Sequence, residues 1–158
     1  MGSASIVVFA VSTKSVRRDA AYIPVMSNEQ TVKDLYAAFQ RGDVAAIVAL
    51  VADDVDWRND RVASRECPWN ADFSGKAKLP GFFKAVAEHL NISVFDVQSI
   101  VASGPSVAVY LRIESTLAKN GRPLKNDSVH FWTFNERGQV SRYRHFNDTA
   151  AELAAWRA

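Results

Sequence analysis

The hydrophobic period of this chain changes once, near Asn91. Before that point apolar side chains recur at helical spacing. Beyond it they alternate in the manner of strands. Helices first and a run of strands after them argue an α+β fold. In such a fold the helices pack on one face of a curved antiparallel sheet. An apolar cavity can then open between the two layers.

The helical half divides into three. Ser27 and Gln30 form a capping-box pair ahead of Val32, Leu35, Tyr36 and Phe39, which share one helix face. Gly42 stops that helix and Asp43 is placed to cap the next. The second helix carries Val44, Ile47, Val48 and Val51 on its apolar face. Asp53-Asp54 breaks the pattern, and Val55-Asp56-Trp57 reads as a short strand. Residues 58–74 are polar and irregular. A third helix is predicted from Leu79 to Leu90, with Pro80 in its first turn. Phe82, Phe83, Val86 and Leu90 form its apolar face.

Strands are predicted over 93–103, 107–117, 124–135 and 139–147. Gly104-Pro105-Ser106, Asn120-Gly121 and Arg137-Gly138 supply the turns between them. Thr149 and Glu152 form a second capping box, for a short C-terminal helix with Leu153 and Trp156.

Composition narrows the function classes. A chain of 158 residues that is 48% apolar supports one core, assigned to residues 27–158. Residues 1–26 read as an N-terminal extension, either disordered or adding an edge strand at Ile6–Val11. A net charge of +2 gives no footprint for nucleic acid or an anionic membrane. No apolar run approaches the roughly 20 residues that span a bilayer. The single Cys67 fits a reducing, cytoplasmic setting. Three histidines without paired His or Cys spacing argue against a metal site. No glycine-rich phosphate loop or dinucleotide fingerprint calls for a cofactor.

Strand alternation groups the chemistry. Tyr110, Arg112 and Glu114 share a face of their strand; His130, Trp132 and Phe134 share one on the next. Tyr143, His145 and Asn147 do so on the last. With these faces concave, one cavity collects four candidate catalytic groups among aromatic walls. His145 is the expected acid or base and Glu114 its orienting carboxylate. Arg112 and His130 are the expected donors to a substrate oxygen. Trp57, Tyr110, Trp132, Phe134, Tyr143 and Asn147 are the expected substrate-binding residues. Trp69, in the irregular stretch, is expected to close the mouth of the cavity or to pack at a dimer interface. His89 is expected to be solvated.

Two stretches carry a family likeness. One runs Leu35-Tyr36-Ala37-Ala38-Phe39-Gln40-Arg41-Gly42-Asp43, then Leu50-Val51-Ala52-Asp53-Asp54-Val55-Asp56-Trp57. The other holds Phe131-Trp132-Thr133-Phe134, Gly138-Gln139-Val140 and Arg144-His145-Phe146-Asn147-Asp148. Together they resemble SnoaL-like, ketosteroid isomerase-like proteins of the nuclear transport factor-like superfamily. The resemblance implies a cone-shaped, cystatin-like α+β barrel, with the curved sheet wrapped around the N-terminal helices.

Its relatives imply different chemistries. Ketosteroid isomerase would place its general-base carboxylate near Asn59, which cannot be a base; Asp60, one residue on, could serve only with a slipped register, and Asn59 is assigned to substrate binding. Its helix-one tyrosine falls at Leu35, beside Tyr36, and its acidic hydrogen-bond donor at His130. Limonene epoxide hydrolase would place its Asp–Arg–Asp arrangement at Arg112, Glu114 and His145. Scytalone dehydratase, with histidines in its cavity, is loosely similar at His130, His145 and Asn147.

The expected function is cofactor-free acid–base chemistry on a small, largely apolar molecule, of isomerase, dehydratase or cyclase type. The alternatives are epoxide hydrolase-like activation of water, and a non-catalytic ligand-binding or dimeric interaction module. A homodimer through the outer sheet face is expected.

Overall fold

The structure is a computed structural model that describes residues 27–58 and 65–158. The expected N-terminal extension, its edge strand, Asn59 and Asp60 lie outside the described residues.

The helices form where their caps place them. Helix α1 spans Asn28–Gln40, and the Ser27 hydroxyl accepts from the Gln30 backbone N–H at 3.2 Å. Gly42, at φ +69°, turns the chain after it. Asp43 caps helix α2, Val44–Ala49, by accepting from the Ala46 N–H at 3.0 Å. That helix is shorter than its apolar spacing predicts. Val51 belongs instead to strand β1, Val51–Trp57, where it is fully buried and paired with Val140. Sheet pairing has overridden helical periodicity there. Helix α3 runs Leu79–His89 with Pro80 in its first turn. Strands β2 (Leu90–Ser103), β3 (Ser106–Leu117), β4 (Pro123–Phe134) and β5 (Val140–Phe146) follow, and helix α4, Thr149–Arg157, ends the chain. Asp148, rather than Thr149, caps α4 through the Ala151 N–H at 2.9 Å.

The sheet order is β1-β5-β4-β3-β2. Strands β2 to β5 form the expected antiparallel meander. Strand β1 joins β5 in parallel, so the sheet is mixed and unclosed rather than wholly antiparallel. Register shifts in β2 after Ile92 and Val97 help curve it. The β3–β4 connection is also wider than a two-residue hairpin. Thr116 pairs with Pro123, and only Gly121 takes a positive φ, at +72°.

A charged clasp holds the parallel pair. Arg144 donates to the Asp56 backbone carbonyl at 3.0 Å and also meets the Asp56 carboxylate. Arg58 and Arg142 reach that carboxylate at 3.0 and 3.5 Å. Partial burial opposes ionisation of Asp56. The hydrogen bond and charge of Arg144, with Arg58 and Arg142 behind it, outweigh that and lower its pKa.

The core lies between helices and sheet, around Val32, Leu35, Val55, Val109, Leu111 and Trp132. Leu111 is fully buried, whereas Val101 on the outer side is 63% exposed. Leu111→Ala should therefore lower stability by about 2–5 kcal/mol. Val101→Ala should change it by less than about 0.5 kcal/mol. Urea midpoints at constant m-value check both.

Candidate functional site

The register across the meander sets the floor of the site. Val109 pairs with His130 and His130 with His145. One step along, Val107 pairs with Trp132 and Trp132 with Tyr143. Directly paired residues share a face, so odd positions of β3, even positions of β4 and Tyr143 and His145 of β5 point inward. Between this face and the helices lies a cavity of about 120 Å³. Its walls are mostly aromatic and include Trp57, Trp69, Phe73, Phe82, Trp132 and Tyr143. Trp57 stacks on Tyr143 at 4.3 Å between ring centroids, and Trp132 sits 4.5 Å from Tyr143.

A hydrogen-bonded chain crosses from sheet to helix. The Trp132 indole N–H donates to the Tyr36 hydroxyl at 3.2 Å, and that hydroxyl lies 3.0 Å from His130 Nδ1. An indole only donates, which frees the tyrosine proton for His130 Nδ1. His130 Nδ1 then accepts, and the ring carries its own proton on Nε2. His145 meets His130 edge to face, with centroids 4.7 Å apart.

Burial sets the charge state of the group. It pushes the His145 pKa down to about 4. It pushes His130 well below the usual imidazole value, with the neighbouring His145 adding to the effect. Both rings are neutral near pH 7. Burial also raises the Tyr36 and Tyr143 hydroxyls, so both keep their protons.

Among the described residues, four buried polar atoms that line the cavity lack a hydrogen-bond partner: Trp57 Nε1, Asn126 Oδ1, Ser128 Oγ and His145 Nε2. Groups of this kind in a native interior call for an explanation, and a bound polar molecule is one. At another wall of the cavity Glu152, from α4, is 3% exposed. Its carboxylate accepts from Trp69 Nε1 at 3.3 Å and from Asn70 Nδ2 at 2.8 Å. Burial raises its pKa, while donors from Asn70, Trp69 and Asn147 act against that rise.

The structure brings His130, His145, Trp57, Trp132 and Tyr143 to one cavity. It separates Tyr110, Arg112 and Glu114 from them. Those three lie on the outer face of β3, because Val109 rather than Tyr110 stands opposite His130. Arg112 lies 3.8 Å from Asp96, and Glu114 pairs with Lys125 at 3.4 Å, so the expected Glu114–His145 pair is not formed. Phe134 is buried in the core but is not part of the cavity wall. Asn147 stands beside Glu152. Trp69 is buried against Trp156, with centroids 5.6 Å apart, and His89 packs on both rings rather than standing in solvent.

Sequence reasoning passed over Tyr36, Asn126, Ser128 and Glu152 as site residues. A signal existed for the first three. Tyr36 sits in the buried stripe of its helix. Val107, Val109, Leu111 and Ile113 are the more apolar set of β3, and their pairing turns Asn126 and Ser128 inward. For Glu152 only its spacing with Trp156 on one helix face pointed inward. Among the described residues no three His, Cys, Asp or Glu gather as a metal site. No described helix is long and apolar enough to cross a membrane.

Helices laid over a curved sheet, with polar groups set into an aromatic cavity, define an α+β cone architecture. The SnoaL-like domain profile matches residues 32–143, and the chain belongs to that family. An NTF2-like protein of unknown function from Burkholderia pseudomallei is 27% identical. That match covers 84% of this chain and 100% of the other, with a TM-score of 0.74. An NTF2-like protein from Burkholderia xenovorans is 29% identical over 81% of this chain and 94% of its own, with a TM-score of 0.73. TerC, co-crystallised with polyporic acid, shares the fold at 22% identity, covering 83% and 98% of the two chains with a TM-score of 0.71. No curated protein matches the sequence.

The buried histidines make stability depend on pH. His145 has a folded pKa of about 4 against an ordinary 6.5, so the unfolded chain takes up its proton first on acidification. Stability from this group is complete above about pH 6.5 and is lost as pH falls toward 4. Between pH 7 and pH 5 the loss from His145 is about 2 kcal/mol. Glu152, shifted upward, works in the opposite sense. Urea unfolding at the two pH values should show a smaller difference in His145→Asn than in the natural chain.

Proposed function

We propose that this protein binds a small, largely apolar molecule in its aromatic cavity and performs cofactor-free acid–base chemistry on it. Isomerase-, dehydratase- or cyclase-type reactions suit the groups present. The observation that carries the reading is the pair of neutral imidazoles, His130 buried and His145 half-buried, that meet edge to face in that cavity, the first held by the Tyr36 hydroxyl. The Tyr36 bond leaves His130 Nε2–H as a donor for a substrate oxygen on which charge develops. His145 Nε2, without a partner among the described residues, is the group that takes or gives a proton. A neutral imidazole can polarise an oxygen without a counterion.

Family membership supports a small-molecule site. TerC's co-crystallisation with polyporic acid is compatible with a ring compound as ligand here. The epoxide hydrolase-like alternative loses its basis, since Arg112 and Glu114 stand on the outer face. The single thiol, Cys67, is free and buried, and burial pushes its pKa up to about 12. That supports a reducing, cytoplasmic setting.

A homodimer through the outer sheet face remains part of this proposal. Val101, Tyr110 and Phe146 are exposed on that side, next to the mixed charges of Asp96, Arg112, Glu114 and Lys125. A two-fold axis can bring opposite charges of such a band together. Sedimentation of the full chain should give a dimer, and Tyr110→Asp should shift it toward monomer. A monomeric natural chain would remove the dimer from the proposal.

For the cavity, the full chain is screened by thermal shift against cyclic ketones, epoxides and aromatic polyketides. A ligand at about 100 times its Kd should add roughly 2.7 kcal/mol of stability. Turnover of the hit should fall about 10²- to 10⁴-fold in His145→Ala, and Tyr36→Phe should lower kcat more than it raises KM. Binding with no turnover would leave a binding protein and sink the catalytic reading.

A further inference from the structure

The Glu152 carboxylate has no role in the chemistry proposed above, yet it is 3% exposed and forms part of the cavity wall. Both of its oxygens accept hydrogen bonds, one from Trp69 Nε1 and one from Asn70 Nδ2. Two N–H donors aimed at two oxygens suit the ionised form. These donors are neutral, as is Asn147 beside them, and none of the described lysines or arginines pairs with this carboxylate. Arg157, on the same helix, is engaged by Glu66 at 3.0 Å. Lys119 lies 4.2 Å over the Trp156 ring. Arg58, which also borders the cavity, is paired with Asp56 at 3.0 Å. A buried carboxylate without a counter-charge is costly, and a bound cation would supply one.

The surroundings favour one kind of cation. Trp57, Trp69, Phe73, Phe82 and Tyr143 line the same cavity. Aromatic faces attract ammonium groups and tolerate the hydrocarbon attached to them. Asn126 Oδ1 and Ser128 Oγ are unpartnered acceptors on β4, the strand against which α4 packs. Those acceptors suit the N–H groups of a protonated amine.

We propose that the cavity takes an organic ammonium ion, held by the Glu152 carboxylate and the surrounding aromatic rings. This assignment rests on the reading that the cavity holds a small molecule, and it names the class of that molecule. An anionic ligand would be repelled by Glu152, and a neutral one would supply no opposite charge to it.

The test uses two probes of nearly equal shape, phenyltrimethylammonium and tert-butylbenzene, which differ in charge. Each is titrated into the full chain at neutral pH, and tryptophan fluorescence reports binding. The cation should bind at least about tenfold tighter. Glu152→Gln should bring that ratio close to one while changing tert-butylbenzene affinity less than about twofold. Glu152→Asp, which keeps the charge, should retain the preference.

Equal or tighter binding of tert-butylbenzene to the natural chain overturns the ammonium assignment and leaves the small-molecule reading standing. Binding of neither probe overturns both. A preference that survives in Glu152→Gln removes Glu152 as the anchor. The ratio for the natural chain decides the ligand class even where the glutamine variant fails to fold.

Discussion

One hydroxyl group ties the helical layer to the sheet. Tyr36 accepts from Trp132 and stands 3.0 Å from His130, so α1 is fixed against β4 by polar bonds inside an otherwise aromatic interior. Polar atoms buried without partners carry a penalty that hydrophobic packing alone does not recover. Around this contact the rings of Phe95, Trp132 and His130 approach Tyr36 within 5.2 to 6.0 Å. The same contact fixes the His130 tautomer and therefore what the ring can offer to a ligand. Fold and site share a single set of bonds here.

The cavity exists because the sheet is held open at one edge and covered at the other layer. Strand β1 carries Trp57 to the wall and is fastened beside β5 by Asp56 and Arg144. Helix α4 returns to β4 and delivers Glu152, with Trp69 and Asn70 from the segment after β1 completing that wall. Residues far apart in sequence are thereby set around one small volume. Around that volume, among the described residues, buried polar atoms such as His145 Nε2 and Ser128 Oγ stand without a hydrogen-bond partner.

Much of the architecture was legible. Caps at Ser27 and Asp43, the turn glycines and the alternation after Asn91 are local signals, and the elements follow them to within a few residues. The misplacements were those of face and partner. Alternation shows that Tyr110, Arg112 and Glu114 lie together, yet it is silent on whether they point in or out. Their chemistry suggested the cavity, whereas the apolar set Val107, Val109 and Leu111 takes the core. Val51 could close a helix face or open a strand, and its pairing with Val140 decides between them.

By itself the sequence determined the kinds of element and their order, because periodicity, capping and turn preference act over a few residues; the family likeness rested on two particular stretches, Leu35–Trp57 and Phe131–Asp148. Tertiary structure decided the parallel seam of β1 with β5, the inward face of β3, the bond from Tyr36 to His130 across 94 positions and the burial of Glu152 beside Trp69 across 83. Those outcomes depend on which surfaces meet once the layers close. Burial then fixes charge state, as it does for His145, through the loss of water around the ring.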